Sequence, residues 1–162
     1  MARATDELAL PPVPPASTPG ARAVMRGNRG RDTRPEVALR SALHRRGLRF
    51  RKDARPEASL PCRADVVLRR AKVAVFLDGC FWHRCPEHGV SPRSNAPYWQ
   101  AKLDRNVARD RRNDEQLRAA GWLVVRVWEH EEPGRAAERV EAAVRACLAL
   151  APTAPGPAAS PV

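Results

Sequence analysis

The spacing of hydrophobic residues changes several times along the chain, and this pattern predicts the order of helices and strands. Residues 33–47 predict a helix, because Thr33 and Glu36 have the spacing of a capping box and Gly47 provides a stop. Strands are predicted over 48–52, 65–68, 73–77 and 122–128, the middle two as a hairpin, and further helices over 98–120 and 134–150. This order predicts an α/β fold with a mixed central sheet flanked by helices.

Proline-rich segments mark both ends of the predicted domain. Prolines are concentrated in residues 11–20 and again in 151–162, so we expect disordered tails over 1–21 and 151–162 around one domain at 22–150. No apolar run approaches the roughly 20 residues of a membrane span. The first residues lack the apolar stretch of an export signal, which favours a cytoplasmic protein without a membrane partner.

Charge and cysteine content narrow the choice of partners. The net charge of +11 and the pI of about 11.0 favour a polyanionic partner, usually nucleic acid, although a GC-rich genome could also produce an arginine excess. The chain has four cysteines. Because no export signal is visible, metal binding or buried thiols are favoured over disulfides.

A loop rich in cysteine and histidine follows the third predicted strand. Its candidate metal ligands are Cys80, Cys85 and His88, with His130, after the last strand, as the best fourth ligand. Two thiolates and two imidazoles form a common structural zinc site, which would make this a zinc-stapled loop. His83 and Cys62 are competing fourth ligands, and the alternative is an ordinary loop with a buried thiol.

Two carboxylates mark the ends of neighbouring strands. Asp65 begins the second strand and Asp78 ends the third, so they can meet at one sheet edge and hold Mg²⁺. The alternative is that both are turn residues. No lysine follows Asp78 in the D/E-x-K spacing of many nucleases, so a nuclease would need another base. Histidine is a common general base, which makes the nearby His83 the candidate.

Two adjacent aromatic residues, Phe81 and Trp82, occupy the same loop. Large aromatic side chains usually fill a core. In a basic protein, an exposed pair can instead insert between base pairs and unstack them. The residues alone favour neither alternative.

Several motifs occur in a characteristic order between residues 25 and 130. They are Arg31-Asp32-Thr33-Arg34-Pro35-Glu36, Pro61-Cys62-Arg63-Ala64-Asp65, Gly79-Cys80-Phe81-Trp82-His83 with Cys85 and His88, Tyr98-Trp99 with Lys102, Asn106-Val107-Ala108-Arg109-Asp110-Arg111-Arg112, and Gly121-Trp122 through Val127-Trp128-Glu129-His130. Together they resemble the very short patch repair (Vsr) endonucleases. That resemblance implies a restriction-endonuclease-like (PD-(D/E)xK) core and Mg²⁺-dependent nicking of DNA on the 5′ side of the thymine in a T·G mismatch.

The resemblance also implies roles for individual residues. Asp65 would be the Mg²⁺ ligand, the carbonyl of Leu77 a second ligand, and His83 the base that activates water. Glu36 matches an acidic active-site residue, with the capping box as the alternative. Asp78, where some members have His, either binds metal directly or holds water. The implied structural zinc ligands are Cys80, Cys85, His88 and His130.

For DNA recognition, the resemblance implies that Phe81, Trp82 and Trp99 form an aromatic wedge beside the mismatch. Lys102 and Arg26 are expected to contact DNA, Arg26 from an arm at 22–31 that enters the minor groove. The implied setting is a monomer on double-stranded DNA in the bacterial cytoplasm and nucleoid, linked in function to a cytosine-5 DNA methyltransferase. The rival hypotheses are a less specific nuclease of the same fold and a non-catalytic zinc-containing DNA-binding module.

Overall fold

The elements come from a computed structural model, which describes residues 11–15, 18–20, 31–92 and 94–150. The strands are β1 (Arg51–Ala54), β2 (Ala64–Leu68), β3 (Val73–Asp78) and β4 (Leu123–Trp128). The helices are α1 (Arg34–Arg45), α2 (Ala96–Ala119) and α3 (Pro133–Leu150), and a 3-10 turn (Arg69–Ala71) joins β2 to β3. The predicted order of elements is confirmed.

The strands form one mixed sheet in the order β1-β2-β3-β4. β1 pairs with β2 and β2 with β3 in antiparallel fashion, whereas β3 and β4 are parallel, from Val73 opposite Leu123 to Asp78 opposite Trp128. A parallel pair needs a long crossover, and α2 provides it. The carboxyl ends of β3 and β4 therefore lie at the same edge of the sheet, where the loops after both strands begin.

Helices cover both faces of the sheet, each over its own hydrophobic core. On one face, α1 and α3 pack against the strands, with Leu39, Leu43 and Val140 almost fully buried. On the other face, Leu117 of α2 packs with Trp122 and Cys62. The predicted mixed sheet flanked by helices is thus present in the structure.

Glycines with positive φ end two of the helices as predicted. Gly47 has φ +76° and Gly121 has φ +80°, a region that L side chains rarely adopt. After each turn the chain bonds back to the helix, with the Leu48 N–H donating to the Leu43 carbonyl and the Trp122 N–H to the Leu117 carbonyl. These turns direct the chain from α1 towards β1 and from α2 into β4.

Some details of the predicted pattern were wrong. The first strand occupies Arg51–Ala54 instead of 48–52, because Leu48 and Phe50 pack against the core before the chain begins to pair with β2. The apolar run at 122–128 predicts a buried strand, but β4 lies at the sheet edge and Leu123 is 39% exposed. The helical spacing also predicts an inward side chain for Leu148 of α3, but this residue is exposed.

Several predictions fall largely outside the described residues. These are the tails at 1–21 and 151–162, and the DNA-contacting arm with Arg26. Within the described residues, no helix combines the length and apolar character needed to cross a membrane.

Candidate active site and metal centre

A polar cleft of about 290 Å³ opens at the sheet edge where β3 ends. It is lined by side chains from β2, β3, β4, α2 and the loop after β3, among them Asp65, Leu77, Asp78, His83, Asp110 and Arg126. Four of these residues were predicted from the sequence to belong to one site. Their convergence follows from the sheet order, because the start of β2 and the end of β3 are antiparallel neighbours.

Asp65 is a largely buried acidic residue at this edge. Its Oδ2 accepts a hydrogen bond from the Leu77 N–H at 2.7 Å. Burial raises the pKa of Asp65 to about 6, and the negative charges of Glu36 and Asp78 add to the effect. A carboxyl group that resists ionisation here would be stabilised as a carboxylate by a nearby cation. Asp65 is therefore suited to binding a metal.

Glu36 makes the contacts expected of a capping box at the start of α1. Its Oε1 accepts from the Thr33 hydroxyl at 2.8 Å, and its Oε2 accepts from the Asp32 N–H at 2.9 Å and from Arg40 at 3.2 Å. It therefore contributes to the start of α1 in the manner of a capping box. Its negative charge also contributes to the raised pKa of Asp65.

His83 is oriented by a carboxylate that sequence reasoning did not single out. Its Nδ1 lies 2.6 Å from Asp110 Oδ2 on α2 and 3.6 Å from Asp78 Oδ1. Burial raises the pKa of Asp110, but the hydrogen bond and charge of His83, with the charge of Arg126, outweigh burial and lower it overall. With Nδ1–H donating to Asp110, Nε2 is the ring nitrogen that can accept a proton.

Asp78 is an ion-pair partner of Arg126. It is only 3% exposed, and Arg126 Nη1 donates to its two oxygens at 2.7 and 2.8 Å. Arg126 also binds Asp114, a second buried carboxylate, at 2.8 Å. The sequence did contain signals for this network. Arg126 interrupts an apolar strand, and Asp110 and Asp114 are four residues apart, on one face of α2.

The four predicted ligands of the Cys/His loop converge in a separate cluster. The ligand atoms of Cys80, Cys85, His88 and His130 all lie within 4.8 Å of one another. Cys80 Sγ is 3.1 Å and Cys85 Sγ 3.7 Å from His130 Nδ1. Burial, reinforced by Cys85, raises the pKa of Cys80 to about 11, so a cation would be needed to hold it as a thiolate.

The donor set fits a tetrahedral zinc ion, with two sulfur and two nitrogen ligands. The competing fourth ligands lie elsewhere. His83 is bound to Asp110 in the acidic cleft, and Cys62 is buried in the hydrophobic core beneath α2. All four cysteines are free of disulfides. His130 is therefore the residue whose position completes the set.

Phe81, Trp82 and Trp99 form an aromatic cluster beside the cleft. Ring centroids are 5.1 Å apart for Phe81 and Trp82, 5.6 Å for Phe81 and Trp99, and 5.9 Å for Trp82 and Trp99. Lys102 Nζ lies 5.5 Å from the Trp82 centroid and 5.3 Å from that of Trp99. All three aromatic residues are half-buried, and none belongs to either hydrophobic core. The cluster thus resembles neither a core nor a fully exposed pair.

The fold and the cleft together define an α/β protein with an acidic site at one sheet edge and a Cys/His cluster next to it. The family model described as DNA mismatch endonuclease Vsr matches residues 17–87 of the chain. The DNA mismatch endonuclease Vsr of Escherichia coli (strain K12) is 41% identical over 113 residues, which cover 68% of this chain and 70% of that protein.

Other relatives carry the name of type II nicking enzymes. V.NaeI of Lentzea aerocolonigenes is 54% identical over 110 residues, covering 67% of this chain and 66% of the relative. V.XorIIP of Xanthomonas oryzae pv. oryzae is 40% identical over 114 residues, covering 68% of this chain and 79% of the relative. The chain belongs to the Vsr family of DNA mismatch endonucleases.

Proposed function

We propose that the protein is a Mg²⁺-dependent DNA endonuclease that nicks one strand on the 5′ side of the thymine in a T·G mismatch. The observation that supports this most directly is the placement of Asp65 and the His83–Asp110 pair in one cleft of a Vsr-family chain. The names of the relatives, mismatch endonuclease and nicking enzyme, support cleavage of a single strand. A restriction-endonuclease-like core is the fold that this family membership suggests.

In this proposal, Asp65 and the carbonyl of Leu77 would hold Mg²⁺, with Glu36 as an additional acidic group near the cleft. When bound, Mg²⁺ supplies positive charge for the scissile phosphate and the leaving 3′-oxygen. His83 Nε2 takes a proton from the attacking water. Asp110 accepts the Nδ1–H hydrogen bond, which fixes the ring and stabilises the imidazolium. The water oxygen forms a bond to phosphorus as the P–O3′ bond breaks, and the leaving O3′ takes a proton from solvent, which gives a 5′-phosphate and a 3′-hydroxyl.

We further propose that the Cys/His cluster binds a structural Zn²⁺ ion. Cys80 and Cys85 bracket Phe81, Trp82 and His83, whereas His130 follows β4. A metal at this cluster would tie the loop after β3 to the end of the neighbouring parallel strand. The metal would thereby hold both the aromatic cluster and His83 next to Asp65.

The aromatic cluster is proposed to insert beside the mismatch, with Lys102 and Arg26 contacting the DNA. A net charge of +11 supports binding to the phosphate backbone. A wobble pair is easier to unstack than a matched pair, so insertion itself would favour T·G. We propose a monomer acting in the bacterial cytoplasm on nucleoid DNA, on mismatches that arise when 5-methylcytosine made by a cytosine-5 methyltransferase is deaminated.

The test is a nicking assay on two duplexes of otherwise identical sequence, one with a T·G mismatch and one with a C·G pair at the same position, with and without Mg²⁺. We expect nicking of the T·G duplex alone, only with Mg²⁺, and its loss in Asp65→Ala and His83→Ala while DNA binding persists. Equal nicking of both duplexes would indicate the less specific nuclease. Binding without nicking under every condition would indicate the non-catalytic module and would overturn the proposal.

A further inference from the structure

Arg126 contacts three acidic residues from two other elements. From β4, its Nη1 donates to both oxygens of Asp78 at the end of β3, at 2.7 and 2.8 Å. Its Nη2 and Nε donate to Asp114 of α2 at 2.8 and 3.1 Å. Nη2 also donates to the backbone carbonyl of Asp110 at 3.4 Å and lies 3.9 Å from its carboxylate. One guanidinium thus joins the ends of β3 and β4 to the middle of α2.

The Arg126 guanidinium also packs against an aromatic ring. Its Cζ lies 5.1 Å from the ring centroid of Phe76 on β3, and its pKa is raised by its acidic partners against the effect of burial. Asp78 and Asp114 are 3% and 8% exposed, so their charges need compensation, and Arg126 pairs with both. Asp114 has a second, more exposed partner in Arg118, at 3.5 Å. A planar fork with five donors can bind several carboxylates at once, which a lysine ammonium cannot do in the same geometry.

The position of Arg126 relates directly to His83. Asp110 holds His83 Nδ1 at 2.6 Å, and Arg126 contacts the backbone of Asp110. Asp78 is the other carboxylate near His83 Nδ1, at 3.6 Å, and both of its oxygens already accept from Arg126. Asp110 is therefore the closer hydrogen-bond acceptor for His83, while Asp78 is engaged by the arginine.

We propose that Arg126 is a positioning residue of the catalytic site: it withdraws Asp78 from metal binding and fixes Asp110 behind His83. This inference rests on the proposed nuclease function and resolves the role of Asp78, which the sequence left open. Asp78 is the counter-ion of Arg126, so Asp65 is the aspartate at this sheet edge that binds the metal. The site therefore depends on a charge network across β3, β4 and α2.

The first test compares Arg126→Lys with Arg46→Lys. Arg46 is a matched control, because it bridges Glu141 at 2.7 Å and Glu138 at 2.8 Å and joins α1 to α3 away from the cleft. We expect Arg126→Lys to lower kcat for T·G nicking by about tenfold or more, since small misplacements of reacting groups cost this much, with KM for DNA within about twofold. Arg46→Lys should retain kcat. An unchanged kcat in folded Arg126→Lys would overturn the proposal.

The second test uses Asp78→Asn, which keeps an acceptor for Arg126 but removes the charge. If Asp78 is a counter-ion, the Mg²⁺ concentration for half-maximal nicking should stay within about twofold of the parent, even where kcat falls. If Asp78 is a metal ligand, that concentration should rise by about tenfold or more. Such a rise in the Mg²⁺ requirement would contradict the proposal that Asp78 is not a metal ligand.

A third measurement does not depend on nicking. The His83 Nδ1 proton, hydrogen-bonded to Asp110, should give a downfield proton NMR signal that is absent in His83→Gln. We expect that signal to shift or disappear in Arg126→Lys and to persist in Arg46→Lys. An unaltered signal in Arg126→Lys would overturn the positioning role. A parent protein that shows the signal but never nicks would refute the proposed function, and the catalytic role of Arg126 with it, while the contact of Arg126 with the His83–Asp110 pair would remain.

Discussion

Asp65→Asn provides a direct test of the electrostatics of the cleft. The substitution keeps the shape of the side chain and an oxygen that can accept the Leu77 N–H, but it removes the charge. In the absence of Mg²⁺, the ionised form of Asp65 is disfavoured by burial and by the charges of Glu36 and Asp78. We therefore expect Asp65→Asn to be more stable than the parent at neutral pH, although it should be inactive.

The magnitude and its pH dependence follow from the pKa of Asp65. The difference between the ordinary value of 3.8 and about 6 in the folded protein corresponds to at most about 3 kcal/mol, or about 2 kcal/mol after allowance for partial solvent contact. Because the folded-state pKa is raised, the unfolded chain ionises first as pH rises. The parent should lose this stability between about pH 4 and pH 6, so the advantage of the variant should appear over that range.

The measurement is urea denaturation at several pH values in Mg²⁺-free buffer without a chelator, which leaves the Cys/His cluster undisturbed. Asp53→Asn is the control, because Arg63 lowers the pKa of Asp53 and its loss should not stabilise the protein. Adding Mg²⁺ should stabilise the parent and not Asp65→Asn. A stability difference that does not change with pH, or no difference at pH 8, would refute the electrostatic argument.

Three further predictions concern the other parts of the site. Elemental analysis should find one zinc per chain, and Cys85→Ser should lower both zinc content and melting temperature; active protein without zinc would contradict this. Trp122→Ala should cost about 3–5 kcal/mol in chemical denaturation, since Trp122 is 5% exposed, whereas Trp82→Ala should cost less and reduce T·G over C·G selectivity. Unchanged selectivity would remove Trp82 from recognition. In nicking assays, Asp110→Asn should lower kcat while KM for DNA changes less. An unchanged kcat would show that His83 does not need Asp110.

Much of the fold could be predicted because local patterns determine most of its elements. The glycine stops after α1 and α2 and the apolar hairpin strands depend on neighbouring residues alone. The edge position of β4 could not be predicted in the same way. An apolar β-branched run is compatible with a central or an edge strand, and the sheet order that decides between them arises from long-range packing.

Part of the candidate site could likewise be predicted from local sequence, and part depended on long-range packing. The Cys/His cluster was predictable because three of its ligands are close in sequence and His130 follows the strand that pairs with β3. Asp110 was missed as a site residue because a charged residue on a long helix usually faces solvent. Arg126 of β4 was missed because arginine is abundant in this chain, so a single arginine does not stand out. Only the crossover of α2 over the sheet brings Asp110 to His83.

The loop after β3 connects the Cys/His cluster to the acidic cleft. Cys80 and Cys85 flank the segment that contains His83, and the Cys85 N–H bonds the Cys80 carbonyl at 2.9 Å, so the two cysteines define a tight turn. The Cys80 N–H donates to Glu129 at 2.6 Å, which ties the same turn to the end of β4. His83 is thus held by the cluster through its backbone and by Asp110 through its ring. Because His83, Asp110 and Asp65 line the same cleft, a change at either support should move the ring relative to Asp65.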